Sequence, residues 1–282
     1  MSHTASSTSL ERTYRYLRIG LAGTVVVIFV SVGLAAADVG WLSSVSEYYF
    51  TPARNAFVGA LIAGALALVA LSGRGIERAL LDATALFAPL IALVPTTVIP
   101  GSVPGVEISG PCEPSCFPPA YIPDAANGVL TYLVVGALVV LVALLLAALR
   151  QVALAAIGFS LAVAIAVLIA VAATWVFARD AFLQYGHVVA TVAFFGLFAA
   201  VAILSAFPTR GGQPAPVYRV VYTGIAAGLV LVLVAYVVLV PRTDDLGFPL
   251  VLVVEASALL LFFAFWVVQG VEKWSEADPA LR

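Results

Sequence analysis

Among the ionisable residues inside or at the edge of long apolar runs, Arg54, His187 and Glu255 stand out. A charged side chain inside a bilayer is costly unless it is paired or wet, so each of the three asks for a reason. Glu255 lies about seven residues into the last apolar run, roughly 10 Å below its outer boundary at 1.5 Å per residue. At that depth a carboxyl group has a cationic partner, faces a wet cavity, or keeps its proton and bonds to a neighbouring helix. Arg54 opens the second run and His187 the sixth, at a similar height, so both can reach Glu255 if the bundle brings those helices together. The alternatives are a snorkelling arginine and an interfacial histidine. Just before Arg54, Ser43, Ser44, Ser46, Glu47, Tyr48, Tyr49 and Thr51 make a polar stretch, with Asp38 and Trp41 ahead of it. We expect Glu47, Tyr49, Arg54, His187 and Glu255 to line an outer-leaflet ligand site, and Trp41 to sit in an aromatic belt.

Whatever positions these groups must be built in lipid. Of 282 residues 63% are hydrophobic and 10% charged, with a mean hydropathy of +1.13. A soluble domain is roughly half apolar and a quarter charged, and no water-soluble fold covers this much apolar surface. Apolar runs of a length to cross a hydrocarbon core fall at about 17–37, 53–73, 79–99, 128–149, 152–178, 185–207, 220–240 and 249–270. They lack the alternation of barrel strands, so each is expected to be a helix that satisfies its own backbone. The expected fold is all-α: a polytopic bundle of eight spans, 17–270, with tails at 1–16 and 271–282 and an external loop at 100–127. The stretch Met1 to Arg18 is too long and polar for a secretory n-region, and the first run reads as a retained span.

Orientation follows from the basic residues at the run ends. With the N-terminus inside, Arg12, Arg15, Arg18, Arg74, Arg78, Arg150, Arg210, Arg219, Lys273 and Arg282 fall on the inner face, and only Arg54, Arg179 and Arg242 on the outer. Both termini are therefore expected in the cytoplasm. Cys112 and Cys116 then lie on the oxidising side, where a local disulfide is the natural reading. Pro89 and Pro95 interrupt the third run, and Asp82 near its inner end is expected to favour the helix N-terminus or pair with Arg78. Ala53–Phe57 resembles Ala178–Phe182, but the first opens an expected span and the second closes one, so we read the likeness as chance.

The segment Ser46-Glu47-Tyr48-Tyr49-Phe50-Thr51-Pro52-Ala53-Arg54, followed by Phe57-Val58-Gly59 and Pro95-Thr96, resembles a family of uncharacterised bacterial multi-span membrane proteins, with sparser matches at His187, Tyr218-Arg219, Glu255, Trp266 and Gly270. The turn Ser72-Gly73-Arg74-Gly75 and the Cys-bearing loop depart from that pattern. The resemblance implies a multi-pass protein of a bacterial inner membrane and singles out Arg54, His187 and Glu255 without naming a reaction.

Several functions are argued against. His3 and His187 are the two histidines and fall on opposite faces, which rules out a three-histidine zinc hydrolase. Lys273 is the lone lysine, and Walker, dinucleotide and haem signatures are absent, so we expect no cofactor and no metal. A net charge of -2 points to no nucleic-acid partner. The expected partners are the lipid bilayer and a small amphiphile, lipid or proton; a structural or accessory subunit without ligand is the alternative, an intramembrane hydrolase a weaker one, and a homo-oligomer stays open. On the second run Gly59, Ala63 and Ala67 offer a small-residue face for helix packing.

Overall fold

The computed structural model describes residues 9–71, 75–108, 110–208, 212–239 and 249–274. Arg74, Arg210, Arg242, Arg282, His3 and the outermost parts of both expected tails, 1–8 and 275–282, lie outside the described residues. Eight long helices follow one another: α1 (Ser9–Val39), α2 (Arg54–Leu71), α3 (Gly75–Leu93), α4 (Ile122–Ala148), α5 (Leu154–Phe177), α6 (Arg179–Ala206), α7 (Pro216–Leu239) and α8 (Leu250–Glu272). Short 3-10 helices at Ser46–Phe50 and Pro119–Tyr121 precede α2 and α4. Among the described residues extended pairing is confined to one bridge, Val98 with Cys116. The fold is all-α, and seven of the helices are long and apolar enough to cross a membrane. The exception is α3, whose first turns hold Glu77, Arg78 and Asp82.

Several boundaries differ from those expected. The polar flanks continue the helices: α1 starts at Ser9, inside the expected 1–16 tail, and α6 starts at Arg179. Both Arg-led segments, Arg54 and Arg179, therefore open helices, which corrects the reading that the second closes one. α3 passes through Pro89 but stops at Leu93, short of the expected 99. Pro95 explains the stop, because a proline disfavours helical backbone at the residue before it. Arg78 and Asp82 pair at 3.5 Å as expected.

Packing of neighbours closes a ring. α1 packs on α2, α2 on α3, α3 on α6, α6 on α7, α7 on α8, and α8 returns to α1. The least apolar helix, α3, is thus an integral wall, and its buried face includes Leu81, Ala85, Ala88 and Ile91. The α4–α5 hairpin lies outside the ring against α3, and the buried positions of α4 are confined to its first half, Ala125, Gly128, Val129 and Tyr132. That hairpin is held by close approach: a Cβ on Gly128 would meet the backbone oxygen of Leu93 at 2.9 Å. Of the small-residue face on α2, Ala67 packs against the core while Gly59 and Ala63 are exposed; Ala60 and Gly64 are buried.

Inside the ring, aromatic side chains fill one end. Phe198 stacks with Phe262, Phe265 and Trp266 at centroid distances of 4.6, 4.9 and 6.0 Å, and Phe265 contacts Tyr222 at 5.3 Å. Beyond them Arg18 is 2% exposed and donates from Nε to Gln269 at 3.3 Å, while the Tyr222 hydroxyl donates to Glu272. At the opposite end the loop between α3 and α4 folds over the ring. Its bridge exchanges two 3.0 Å hydrogen bonds between Val98 and Cys116, Cys112 and Cys116 form a disulfide, and the Gln184 amide of α6 donates to Ser115 O at 3.0 Å.

Candidate functional site

The segment between α1 and α2 is bound into the ring rather than left as a solvent loop. Gly40 turns the chain with φ +82°, the Tyr48 hydroxyl donates to Gly40 O at 3.1 Å, and Leu42 N–H donates back to that hydroxyl at 3.2 Å. The first turn of a helix has N–H groups without an intrahelical acceptor. In α8 one of them, Leu252 N–H, donates to Ser43 O at 2.8 Å. This contact docks the start of α8 under the 3-10 helix and brings Glu255 beneath Ser46.

There the Ser46 N–H donates to Glu255 Oε2 at 2.9 Å, and the Ser46 hydroxyl lies 3.1 Å from Glu255 Oε1. The same hydroxyl lies 3.0 Å from His187 Nε2, and His187 Nδ1 donates to Val94 O at 2.7 Å. Val94 is the first residue after α3, so the helix stop before Pro95 supplies the acceptor that fixes the imidazole. Ser46, His187 and Glu255 are 6%, 3% and 9% exposed. The expectation that His187 and Glu255 share a site is met through a bridging serine.

Arg54 goes elsewhere, which corrects the expectation that it reaches Glu255. Its Nη2 donates to Asp124 Oδ2 at 2.8 Å and to the Tyr49 hydroxyl at 2.7 Å, and the guanidinium stacks 4.4 Å from the Tyr49 ring. Arg54 and Asp124 side chains are 37% and 46% exposed, so this pair sits at the surface. Burial pushes the Tyr49 phenol above its ordinary range, against the pull of the Arg54 guanidinium. Glu47 is buried and belongs to neither cluster directly: it accepts from Ser43 N–H at 2.9 Å and from the Ser102 hydroxyl of the overlying loop at 3.3 Å. Trp41 is 73% exposed and Asp38 is exposed, so neither lines the site.

Below Ser46 and Glu255 a cavity of about 60 Å³ lies inside the ring. Its walls come from α1, α2, α3, α6 and α8 and are almost wholly apolar, including Ile28, Phe57, Leu68, Phe195 and Leu259. From Phe57 to Leu68 along α2 it extends about 16 Å at 1.5 Å per residue. Thr191, one turn after His187, also lines it; this residue is 8% exposed and its hydroxyl has no hydrogen-bond partner among the described residues. A buried hydroxyl left without a partner is unusual, because burying it costs free energy.

The order of groups limits the chemistry. In a hydrolytic triad histidine stands between serine and acid. Here serine stands between acid and histidine, and the far imidazole nitrogen is committed to a backbone carbonyl. Among the described residues no cluster of three His, Cys, Asp or Glu side chains is arranged to hold a metal. What the arrangement provides is a polar, proton-bearing end on a narrow apolar cavity.

Sequence reasoning singled out Glu255 and His187 because an ionisable group in an apolar run stands out. Ser46, Thr191 and Asp124 carry no such signal, being ordinary residues in polar or helical surroundings. Arg18 read as one basic residue among several at an inner boundary, whereas the fold buries it. No protein-family model, no curated protein and no solved structure matches this chain.

Proposed function

We propose that this protein is an eight-span protein of a bacterial inner membrane, with both termini cytoplasmic, that binds a single-chain amphiphile inside the helix ring. The observation that carries the binding reading is the cavity: a long apolar bore with Ser46 and Glu255 at one end and a partnerless Thr191 hydroxyl in its wall. An acyl-like chain suits the apolar lining and a polar headgroup suits its polar end, as in ligand sites where apolar walls supply affinity and a few polar groups fix orientation. The eight-span reading counts α3 as a span because it is a wall of the closed ring, and the basic residues of the helix ends support the orientation. On that orientation the headgroup end lies in the outer leaflet.

Gly64 provides the test. It lines the middle of the bore, and a Cβ there meets only Thr24 Oγ1 at 3.9 Å, so Gly64→Leu grows into the empty space. In phosphatidylcholine nanodiscs, Gly64→Leu is expected to weaken binding of a fluorescent dodecyl-chain probe by about tenfold or more, equivalent to about 1.4 kcal/mol. Thermal stability should hold or rise, because a helix-interior glycine costs about 0.5–1 kcal/mol relative to a better helix former. Equal probe binding by the variant and the native chain would remove the reading. Topology is checked separately in a chain with Cys112 and Cys116 replaced by Ser: Glu107→Cys should react with an impermeant thiol reagent from outside the cell, and Gln213→Cys only after the membrane is opened.

A further inference from the structure

The hydrogen bonds around Ser46 count protons. Val94 O can only accept, so His187 Nδ1 carries a hydrogen, and the Ser46 N–H serves Glu255 Oε2. Two contacts remain, Glu255 Oε1 to Ser46 Oγ at 3.1 Å and Ser46 Oγ to His187 Nε2 at 3.0 Å. Each needs one hydrogen, and the serine hydroxyl supplies only one. The second must sit on Glu255 or on His187. A carboxylate beside a neutral imidazole would leave two lone pairs facing each other in a buried site, at the cost of an unmade hydrogen bond. The arrangement without separated charges places that proton on Glu255, with the Ser46 hydroxyl donating to His187.

The surroundings of Glu255 favour a positive guest. From the 3-10 helix Glu47 lies within electrostatic reach, from α7 Tyr236, and from α6 His187. Among the described residues no Lys or Arg lines the bore, and Arg54 is bound to Asp124.

We propose that the headgroup taken by this cavity is an ammonium, and that it binds in exchange for one proton of the Glu255–Ser46–His187 chain. This rests on the amphiphile reading and specifies its ligand class. The exchange balances: in place of the carboxyl proton, which leaves to solvent, the ammonium donates one N–H to Glu255 Oε1 and a second to Ser46 Oγ, while the Ser46 hydroxyl keeps donating to His187. One positive charge enters and one leaves, so the buried site stays neutral in both states, and no covalent bond other than the carboxyl O–H is broken. His187 acts as a positioning residue that holds the serine hydrogen away from Glu255.

The test is calorimetric titration of the full chain in phosphatidylcholine nanodiscs with dodecylammonium, dodecanol and dodecyl phosphate, against empty discs and in two buffers of different ionisation enthalpy. The expected result is release of one proton per dodecylammonium bound. Affinity should improve about tenfold per pH unit of increase while the free chain holds its proton, since binding and proton loss are linked. Dodecanol and dodecyl phosphate should bind about tenfold or more weakly, without proton release. Glu255→Gln has no proton to exchange and should lose the pH dependence and the preference for dodecylammonium while still binding dodecanol. Dodecylammonium binding without proton release, or equal binding of the three chains, overturns the ammonium exchange and leaves the amphiphile reading standing. Absence of binding by all three overturns both. Discs containing a primary-amine lipid separate the sources of the ammonium: competition assigns a bilayer lipid, and unchanged affinity a free amphiphile, each in support of the ammonium class.

Discussion

Ser46 and Tyr49 lie three residues apart on one short 3-10 helix, yet they anchor clusters that handle charge in opposite ways. On the Tyr49 side, Arg54 and Asp124 meet as a surface ion pair with a ring stacked beneath the guanidinium. On the Ser46 side, Glu255 and His187 are buried and do not touch; a neutral hydroxyl joins them, and a backbone carbonyl closes the far end. The difference follows from solvation. A pair with a third or more of its surface in water retains most of its hydration and gains little from contact. Buried groups lose hydration, so the stable solution is a hydrogen-bonded chain whose proton count keeps it neutral. One turn of the 3-10 helix separates the two regimes.

Substitutions should expose that division, and the largest effect belongs on the buried side. Ser46→Ala removes the hydroxyl from between Glu255 Oε1 and His187 Nε2 and leaves both without their partner. A loss of about 2–4 kcal/mol is expected from two buried groups left unsatisfied, read by chemical unfolding in detergent. Arg54→Ala should cost about 1 kcal/mol from the exposed pair and the ring contact together, and most of that should vanish in high salt. Smallest of the three is Glu255→Gln, whose amide can donate to Ser46 Oγ and accept from Ser46 N–H as a protonated carboxyl does. A change of about 0.5 kcal/mol or less is expected. If Glu255→Gln costs as much as Ser46→Ala, the buried carboxyl is ionised and the contrast between the clusters collapses.

The helices were readable because lipid imposes one requirement, an apolar run long enough to cross, and α1, α2 and α4 to α8 meet it directly. α3 was readable as an element but blurred at both ends, since Glu77, Arg78 and Asp82 sit at its start and Pro95 ends it early. Ring closure was not readable. It depends on which faces of α3 and α6 meet across the inserted α4–α5 hairpin, and both helices carry apolar residues on more than one face. The site was half readable for a related reason. Glu255 and His187 are conspicuous against hydrocarbon, whereas Arg54 found its partner 70 residues away in Asp124, and no local pattern announces that pairing. Ser46 stood in plain view within a polar stretch, where one serine among several cannot be told apart until the fold sets it between two ionisable groups. Gly59 and Ala63 show the same limit, because spacing gives a helix a small-residue face without saying which side faces the ring.

The most direct test of the buried neutral chain is infrared difference spectroscopy of the native protein against Glu255→Gln in phosphatidylcholine nanodiscs at neutral pH. A protonated-carboxyl carbonyl band that disappears in Glu255→Gln, and that dodecylammonium bleaches in the native protein, is the expected result. A native spectrum that lacks this band, with Glu255→Gln removing a carboxylate band instead, would contradict it.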